Sequence, residues 1–181
     1  MTDAGITDAG NEATREPNRR EPITREVVQR GLYFDELEEG VRYRHRPGRT
    51  VTEADNVLFT TLTMNAQALH LDAHYSASQE FGRPLMNSMF TLATMVGLSV
   101  GQLTQGTLVA QLGISEVAFP HPLFAGDTLY VDTVIVGKRL SRSRPGQGIV
   151  TMTHTGRNQD DVVVATATRA ALMLCRPEES A

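Results

Sequence analysis

The chain has 181 residues, 40% of them hydrophobic and 21% charged, with a formal net charge of −4. Such a length and mix fit one globular domain with a real core, and the negative balance argues against nucleic acid or an anionic membrane as the main partner. The single cysteine, Cys175, excludes an internal disulfide and reads as inert filler, and no apolar leader opens the sequence; a reducing cytoplasm is the expected compartment.

Residues 1–30 mix Arg, Glu, Asp, Thr, Asn and Pro with almost no large apolar groups. A stretch of that kind cannot bury enough surface to offset its ordering entropy, so it reads as a flexible tail ahead of a domain over 31–176. The packed pattern begins at Leu32-Tyr33-Phe34. Residues 43–51 alternate and carry Arg, as a first strand does. Thr52 caps a helix over 53–63, which has Asp55 in its first turn and apolar groups at Val57, Leu58 and Leu62. The segment 64–83 is non-repetitive and holds most of the unusual polar residues; within it Asp72 is placed to cap a short helix over 73–80.

Pro84 stands where a helix starts, since a missing N–H costs nothing in the first turn. Leu85, Met89, Leu92, Val96 and Val100 then recur at helical spacing, and Met86, Phe90, Ala93 and Gly97 fill a second face, which predicts a central buried helix ended between Gly101 and Gly106. Asn87, Ser88, Gly97 and Gln102 interrupt this stretch, so it is not a membrane span. Four runs rich in Val and Thr follow, at 108–119, 128–140, 148–156 and 162–174, separated by turn signals. One long helix followed by consecutive antiparallel strands predicts an α+β fold, with a sheet curled round the helix.

Three segments carry a family likeness. Met64-Asn65-Ala66-Gln67-Ala68-Leu69-His70-Leu71-Asp72 resembles the hydratase motif of MaoC-like proteins, in which an acidic residue precedes a His by five positions. Phe81-Gly82-Arg83-Pro84-Leu85-Met86-Asn87-Ser88-Met89 resembles that family's entry to its central helix. Phe119-Pro120-His121-Pro122-Leu123-Phe124-Ala125-Gly126-Asp127 is similar to its strand-turn signature, an aromatic, then Pro, then Gly-Asp. The likeness runs from about Phe34 to Leu174. It implies a single hotdog fold, an acyl-CoA thioester as substrate, no metal, no cofactor, and a homodimer or dimer-based higher oligomer.

The resemblance implies (R)-type hydration of a 2-enoyl-CoA, or the reverse dehydration, with His70 as the proton carrier; imidazole titrates near neutral pH. The chain departs from the family at Asn65, where the usual residue is Asp. An amide can orient a water but cannot take its proton, so either His70 acts alone or hydration is lost. Ser88 stands where the family has Gly, and Asn87 where it has His. The backbone N–H at that helix start is the family's thioester-oxygen donor, a role Ser can fill because first-turn N–H groups lack helical partners. A further family serine within the helix corresponds to Val96.

His70, Asp72 and His74 alternate, but no companion ligand cluster supports a metal. Lys138, Arg139, Arg142 and Arg144 read equally as a grip for CoA phosphates or as solvated hairpin charges. Arg83 faces the same choice between a substrate carboxylate and a cap or surface ion pair. An acyl-CoA thioesterase and a non-catalytic acyl-CoA-binding protein on the same fold are the competing readings. A small branched or dicarboxylic acyl group, such as mesaconyl or itaconyl, is the expected cargo.

Overall fold

Strict alternation of Val, Thr and Ile builds the middle of the sheet. In β3 (Thr128–Leu140) the side chains of Leu129, Val131, Thr133 and Ile135 turn inward in succession. Val150, Met152 and His154 do the same in β4 (Gln147–Arg157), and Ala167, Arg169 and Ala171 in β5 (Val163–Leu174). A period of two on one buried face is what an antiparallel strand demands. The computed structural model describes residues 25–178. Its sheet has five strands in the order β1-β3-β4-β5-β2, with β1 (Arg42–Thr50) and β2 (Leu108–Ala118) at the edges and every neighbouring pair antiparallel. The α+β architecture expected from the sequence is the observed one.

The first twenty-four residues of the expected tail lie outside the described residues; residues 25–30 are exposed and irregular, and Gly31 then docks its N–H on the carbonyl of Gln105 at 2.7 Å. A single 3₁₀ turn, Phe34–Glu36, precedes β1. Between β1 and β2 come α1 (Glu53–Leu62), α2 (Ala68–Leu71), α3 (Ala73–Ala77) and the sixteen-residue α4 (Ser88–Leu103). Among the described residues no helix is long and apolar enough to cross a membrane.

Helix α4 lies on the inner face of the sheet and buries Phe90, Met95 and Leu103 there. It is not covered all round. Met89 is 51% exposed, and Gly97 and Gly101 face open space, because the sheet wraps one side of the helix only. Nor does it begin at Pro84. The N–H of Leu85 goes to the carbonyl of Leu69 and that of Met86 to Leu123, both at 3.0 Å, which holds residues 85–86 out of the helix until Asn87 caps it. Helix α1 also differs from expectation: Val57, Leu58 and Leu62 point to solvent, while Asn56 and Thr60 are buried. Those two polar residues face inward beside Phe59, whose ring packs edge-on against Phe90.

Two apolar clusters fill the core. One joins Phe90 and Met95 to Leu129, Val131 and Val164; the other joins Leu103 to Phe34, Ile135, Met152 and Met173. Between them in strand order lies a buried polar belt. His45 bonds Gln102 through Nδ1 and Thr133 through Nε2, and Thr133 bonds Nδ1 of His154, each at 2.7 Å. Because Gln102 Oε1 only accepts, His45 donates from Nδ1, the Thr133 hydroxyl donates to His45 Nε2, and His154 Nδ1 donates to Thr133. Burial, reinforced by Arg169 and His45, pushes His154 down to about 3.

Candidate active site

The site grows out of the inward-facing polar residues of α1. Thr52 caps this helix reciprocally with Asp55: the Asp55 N–H donates to Thr52 Oγ1 at 3.2 Å and the Thr52 N–H to Asp55 Oδ2 at 2.9 Å. Asn56 and Thr60, four apart and therefore on one face, turn toward the segment between α2 and α4. Asn56 Nδ2 donates to the carbonyls of Leu85, at 2.9 Å, and His70, at 3.1 Å; its Oδ1 accepts the N–H of Asn87 at 2.8 Å. Asn87 in turn donates from Nδ2 to Thr60 Oγ1 at 3.2 Å and accepts the Met89 N–H at 3.0 Å. One buried carboxamide thus ties together the backbone at His70 and the start of α4.

His70 is the third of the four residues of α2 and is half-buried. Its Nδ1 lies 2.9 Å from the carbonyl oxygen of Leu85. A carbonyl can only accept, so Nδ1 carries the proton and Nε2 is left as the ring's reactive atom. His70, Asn56, Arg83, Pro84 and Phe124 line a cavity of about 200 Å³. The Arg83 guanidinium stacks over the Phe124 ring at 3.7 Å from its centroid, an arrangement that favours a cation held above an aromatic face.

Ser88 is the first residue of α4, so its N–H has no intrahelical acceptor. It lines a neighbouring cavity of about 230 Å³ with Thr91, Phe119, His121 and Val164. Leu85 and Met86 line this second cavity, directly after Arg83 and Pro84, which line the first. Asn87 is buried and fully engaged in capping and tethering; it orients the helix start and lines neither cavity. Asn65 also lines neither. Its Oδ1 accepts the N–H of Gln67 at 3.1 Å, a turn that bonds its own backbone two residues on.

Asp72 accepts the Tyr75 N–H at 2.8 Å as the cap of α3, and among the described residues no three His, Cys, Asp or Glu side chains converge as a metal set would. Lys138 does not reach outward: its ammonium donates to the carbonyls of Phe34 and Leu37 at 2.8 and 2.7 Å, which removes it from the cationic group considered for CoA phosphates. Three residues at the site, Asn56, Thr60 and His121, lie outside the sequence expectations. Asn56 and Thr60 had a signal, polar side chains at helical spacing opposite Val57 and Leu58. His121 lies in the Phe119–Asp127 segment, whose strand-turn pattern carries no sign of a site residue.

Comparison with known proteins agrees with this architecture. The family described as MaoC like domain matches residues 36–158. A mesaconyl-CoA hydratase of Haloarcula marismortui is 28% identical over 181 residues, all of this chain and 50% of the relative. The chain therefore spans about half the length of that relative. A MaoC-like dehydratase structure from Rhodospirillum rubrum superposes with a TM-score of 0.72 at 28% identity, covering 82% of this chain and 100% of the other. A Mycobacterium tuberculosis protein described as a double hotdog fold superposes with a TM-score of 0.74 at 26% identity, covering 83% of this chain and 46% of its own.

Proposed function

Because the chain belongs to the MaoC-like domain family, we propose that it is an acyl-CoA hydratase/dehydratase, adding water to a 2-enoyl thioester or removing it. The observation that carries the reading is the anchored imidazole. With Nδ1 donating to Leu85, His70 presents Nε2 as a base beside the segment that delivers the Ser88 N–H. In the hydration direction Nε2 takes a proton from water as the oxygen bonds to C3. The C2–C3 π electrons move toward the thioester, whose oxygen is stabilised as an enolate by the Ser88 N–H and the positive end of α4. The imidazolium then returns its proton to C2, so one histidine serves as base and acid. Asn65, with its oxygen engaged in its own turn, shapes the loop that leads into α2.

A small branched or dicarboxylic acyl group is the proposed substrate. The relative's name, mesaconyl-CoA hydratase, supports it. A second hotdog domain completes the assembly, in a homodimer of this chain: edge strand β2 leaves Leu112, Ile114 and Val117 exposed, a surface that pairing would cover. The lone thiol of Cys175 fits the reducing cytoplasm.

The test is incubation with a panel of 2-enoyl-CoAs, read by mass. Gain of one water by the thioester is the expected result. Release of free CoA thiol would make the protein a thioesterase, and binding with no change in mass would make it a carrier.

A further inference from the structure

Strand β1 carries four arginines in nine residues, Arg42, Arg44, Arg46 and Arg49, and no acidic residue. In a chain whose formal net charge is −4, that is a local reversal of sign. His45 turns inward, so Arg44 and Arg46 alternate to the outer face of the sheet. There they line a cavity with Tyr130 and Asp132 of β3 and Arg157 of β4. Charges on an edge strand guard against unwanted pairing, but Arg157 stands on an interior strand and has no edge to guard. The three guanidinium groups are under-matched. Asp132 serves both Arg44, at 3.6 Å, and Arg46, at 3.9 Å, and Asp161 lies 3.6 Å from Arg157. Those separations exceed hydrogen-bond length. Among the described residues, Arg46 and Arg157 instead donate to the backbone carbonyls of His45 and Asp161, at 2.7 and 2.9 Å, and none of the three donates to a carboxylate. Arg46 is also held over the Tyr130 ring, 4.9 Å from its centroid. Converging guanidinium forks with donors to spare match the oxygens of a phosphate.

We propose that Arg44, Arg46 and Arg157 hold the phosphates of the CoA moiety. The inference rests on the acyl-CoA reading above and assigns the other end of that thioester. The cluster stands at the end of the sheet that borders the His70 cavity, and Asp127 joins the two. Its Oδ2 accepts the N–H of Phe124, which lines the His70 cavity, at 2.9 Å. Its Oδ1 accepts from Nε2 of Gln159, which lines the arginine cavity, at 3.0 Å. The pantetheine arm has about as many bonds as four or five residues of chain, so it reaches roughly 15 Å when extended. Tyr130 is two residues along β3 from Thr128, about 7 Å, whereas Arg139 is eleven residues along, roughly 36 Å. Arg142 and Arg144 lie beyond Arg139, so the hairpin arginines are out of the arm's reach from this end of the sheet. Arginine keeps its charge across the accessible pH range, and recognition needs no titration.

Calorimetry of the full chain with free CoA, dephospho-CoA and pantetheine tests the site, because these probes share the arm and differ in phosphate. CoA should bind more tightly than pantetheine, and raised ionic strength should weaken CoA binding alone. In the Arg44→Gln/Arg157→Gln double variant the CoA Kd should rise about tenfold, a modest factor because contacts at an exposed rim are screened by solvent. Pantetheine binding should stay as it was, and Arg142→Gln/Arg144→Gln should leave the CoA Kd unchanged. Dephospho-CoA locates the contact: an equal loss for it assigns the diphosphate, and no loss assigns the ribose phosphate. An unchanged CoA Kd in the Arg44/Arg157 variant would overturn the proposal, as would a rise in the hairpin variant instead. Pantetheine binding that falls in step with CoA would also overturn it, since the arginines would then act through the fold. Hydration is read separately. A protein that binds CoA through these arginines and adds water to no enoyl thioester keeps the phosphate site and removes the hydratase reading alone. Equal kcat/KM for mesaconyl-CoA and mesaconyl-pantetheine overturns the phosphate site and leaves hydration standing.

Discussion

The Nδ1 of His70 donates to the carbonyl oxygen of Leu85 at 2.9 Å, three residues before Ser88 opens α4. The same carbonyl also accepts from Asn56, at 2.9 Å. One backbone oxygen therefore fixes the tautomer of the proton carrier and is itself fixed by a side chain from another helix. The imidazole and the helix-start N–H are set relative to each other by a short, doubly tethered segment.

Asn56 is therefore expected to matter for both stability and rate. Asn56→Ala leaves the His70 carbonyl without its donor and the Asn87 N–H without its acceptor, while Leu85 keeps the bond from His70. Buried groups left unsatisfied cost about 1–3 kcal/mol each, so a total loss on the order of 2–4 kcal/mol should appear in chemical denaturation. Turnover at a temperature where the variant is still folded should also fall. Unchanged stability would show that the tether is dispensable.

The polar belt predicts an acid-sensitive core. His154 is held at about 3 in the folded protein against an ordinary value of 6.5. Between those values the unfolded chain binds a proton that the folded chain excludes. The stability linked to this group is thus complete above about pH 6.5 and declines as pH falls toward 3, by at most about 1.4 kcal/mol per pH unit. His45, lowered by burial, acts in the same direction. Denaturation measured between pH 6.5 and 5 should show a shallower slope for His154→Gln than for the unmodified protein. Equal slopes would place the acid sensitivity elsewhere.

Two glycines should respond with opposite signs. A Cβ on Gly31 would meet the backbone nitrogen of Thr104 at 2.5 Å, with no flexible side chain to give way. Gly31→Ala should lower stability by roughly 1–3 kcal/mol. Gly97, within α4, faces open space, so Gly97→Ala should raise stability by about 0.5–1 kcal/mol through helix propensity. A destabilising Gly97→Ala would mean that a partner packs closely on that face. Melting temperatures of the two variants decide the matter.

The parts of this structure that depend on burial period were legible from the chain. Strands β3, β4 and β5 follow from runs rich in Val and Thr bounded by turn signals, and the bulk of α4 from apolar recurrence. What escaped was set by tertiary hydrogen bonds. Pro84 satisfies every local rule for a helix start, yet bonds from Leu85 to Leu69 and from Met86 to Leu123 delay the helix to Ser88. The apolar residues of α1 implied an inward face, but the need to tether the 70–87 segment turned Asn56 and Thr60 inward. The four-residue α2 that carries His70 is too short to leave a periodic signal. His70, Ser88 and Arg83 were reachable by motif, and an Asn in a loop readily bonds its own backbone two residues on, as Asn65 does with Gln67.

Asn65 offers a direct comparison with His70. Its side-chain oxygen bonds Gln67 within the loop. Asn65→Ala should reduce hydration through loop geometry by much less than any change that removes the imidazole. Rates of hydration measured side by side for the two variants test this ordering. An Asn65→Ala loss equal to that of His70→Ala would return Asn65 to the chemistry.

The central claim is that Nε2 of His70 moves the proton in hydration of a 2-enoyl-CoA. The most direct test is the single-turnover hydration rate of His70→Ala with mesaconyl-CoA, measured together with binding of a saturated acyl-CoA. General acid–base groups typically contribute ~10²–10⁴-fold, so a loss of that order with binding retained is the predicted result. A His70→Ala protein that hydrates the thioester at close to the unmodified rate would contradict the assignment and make His70 a structural residue of α2.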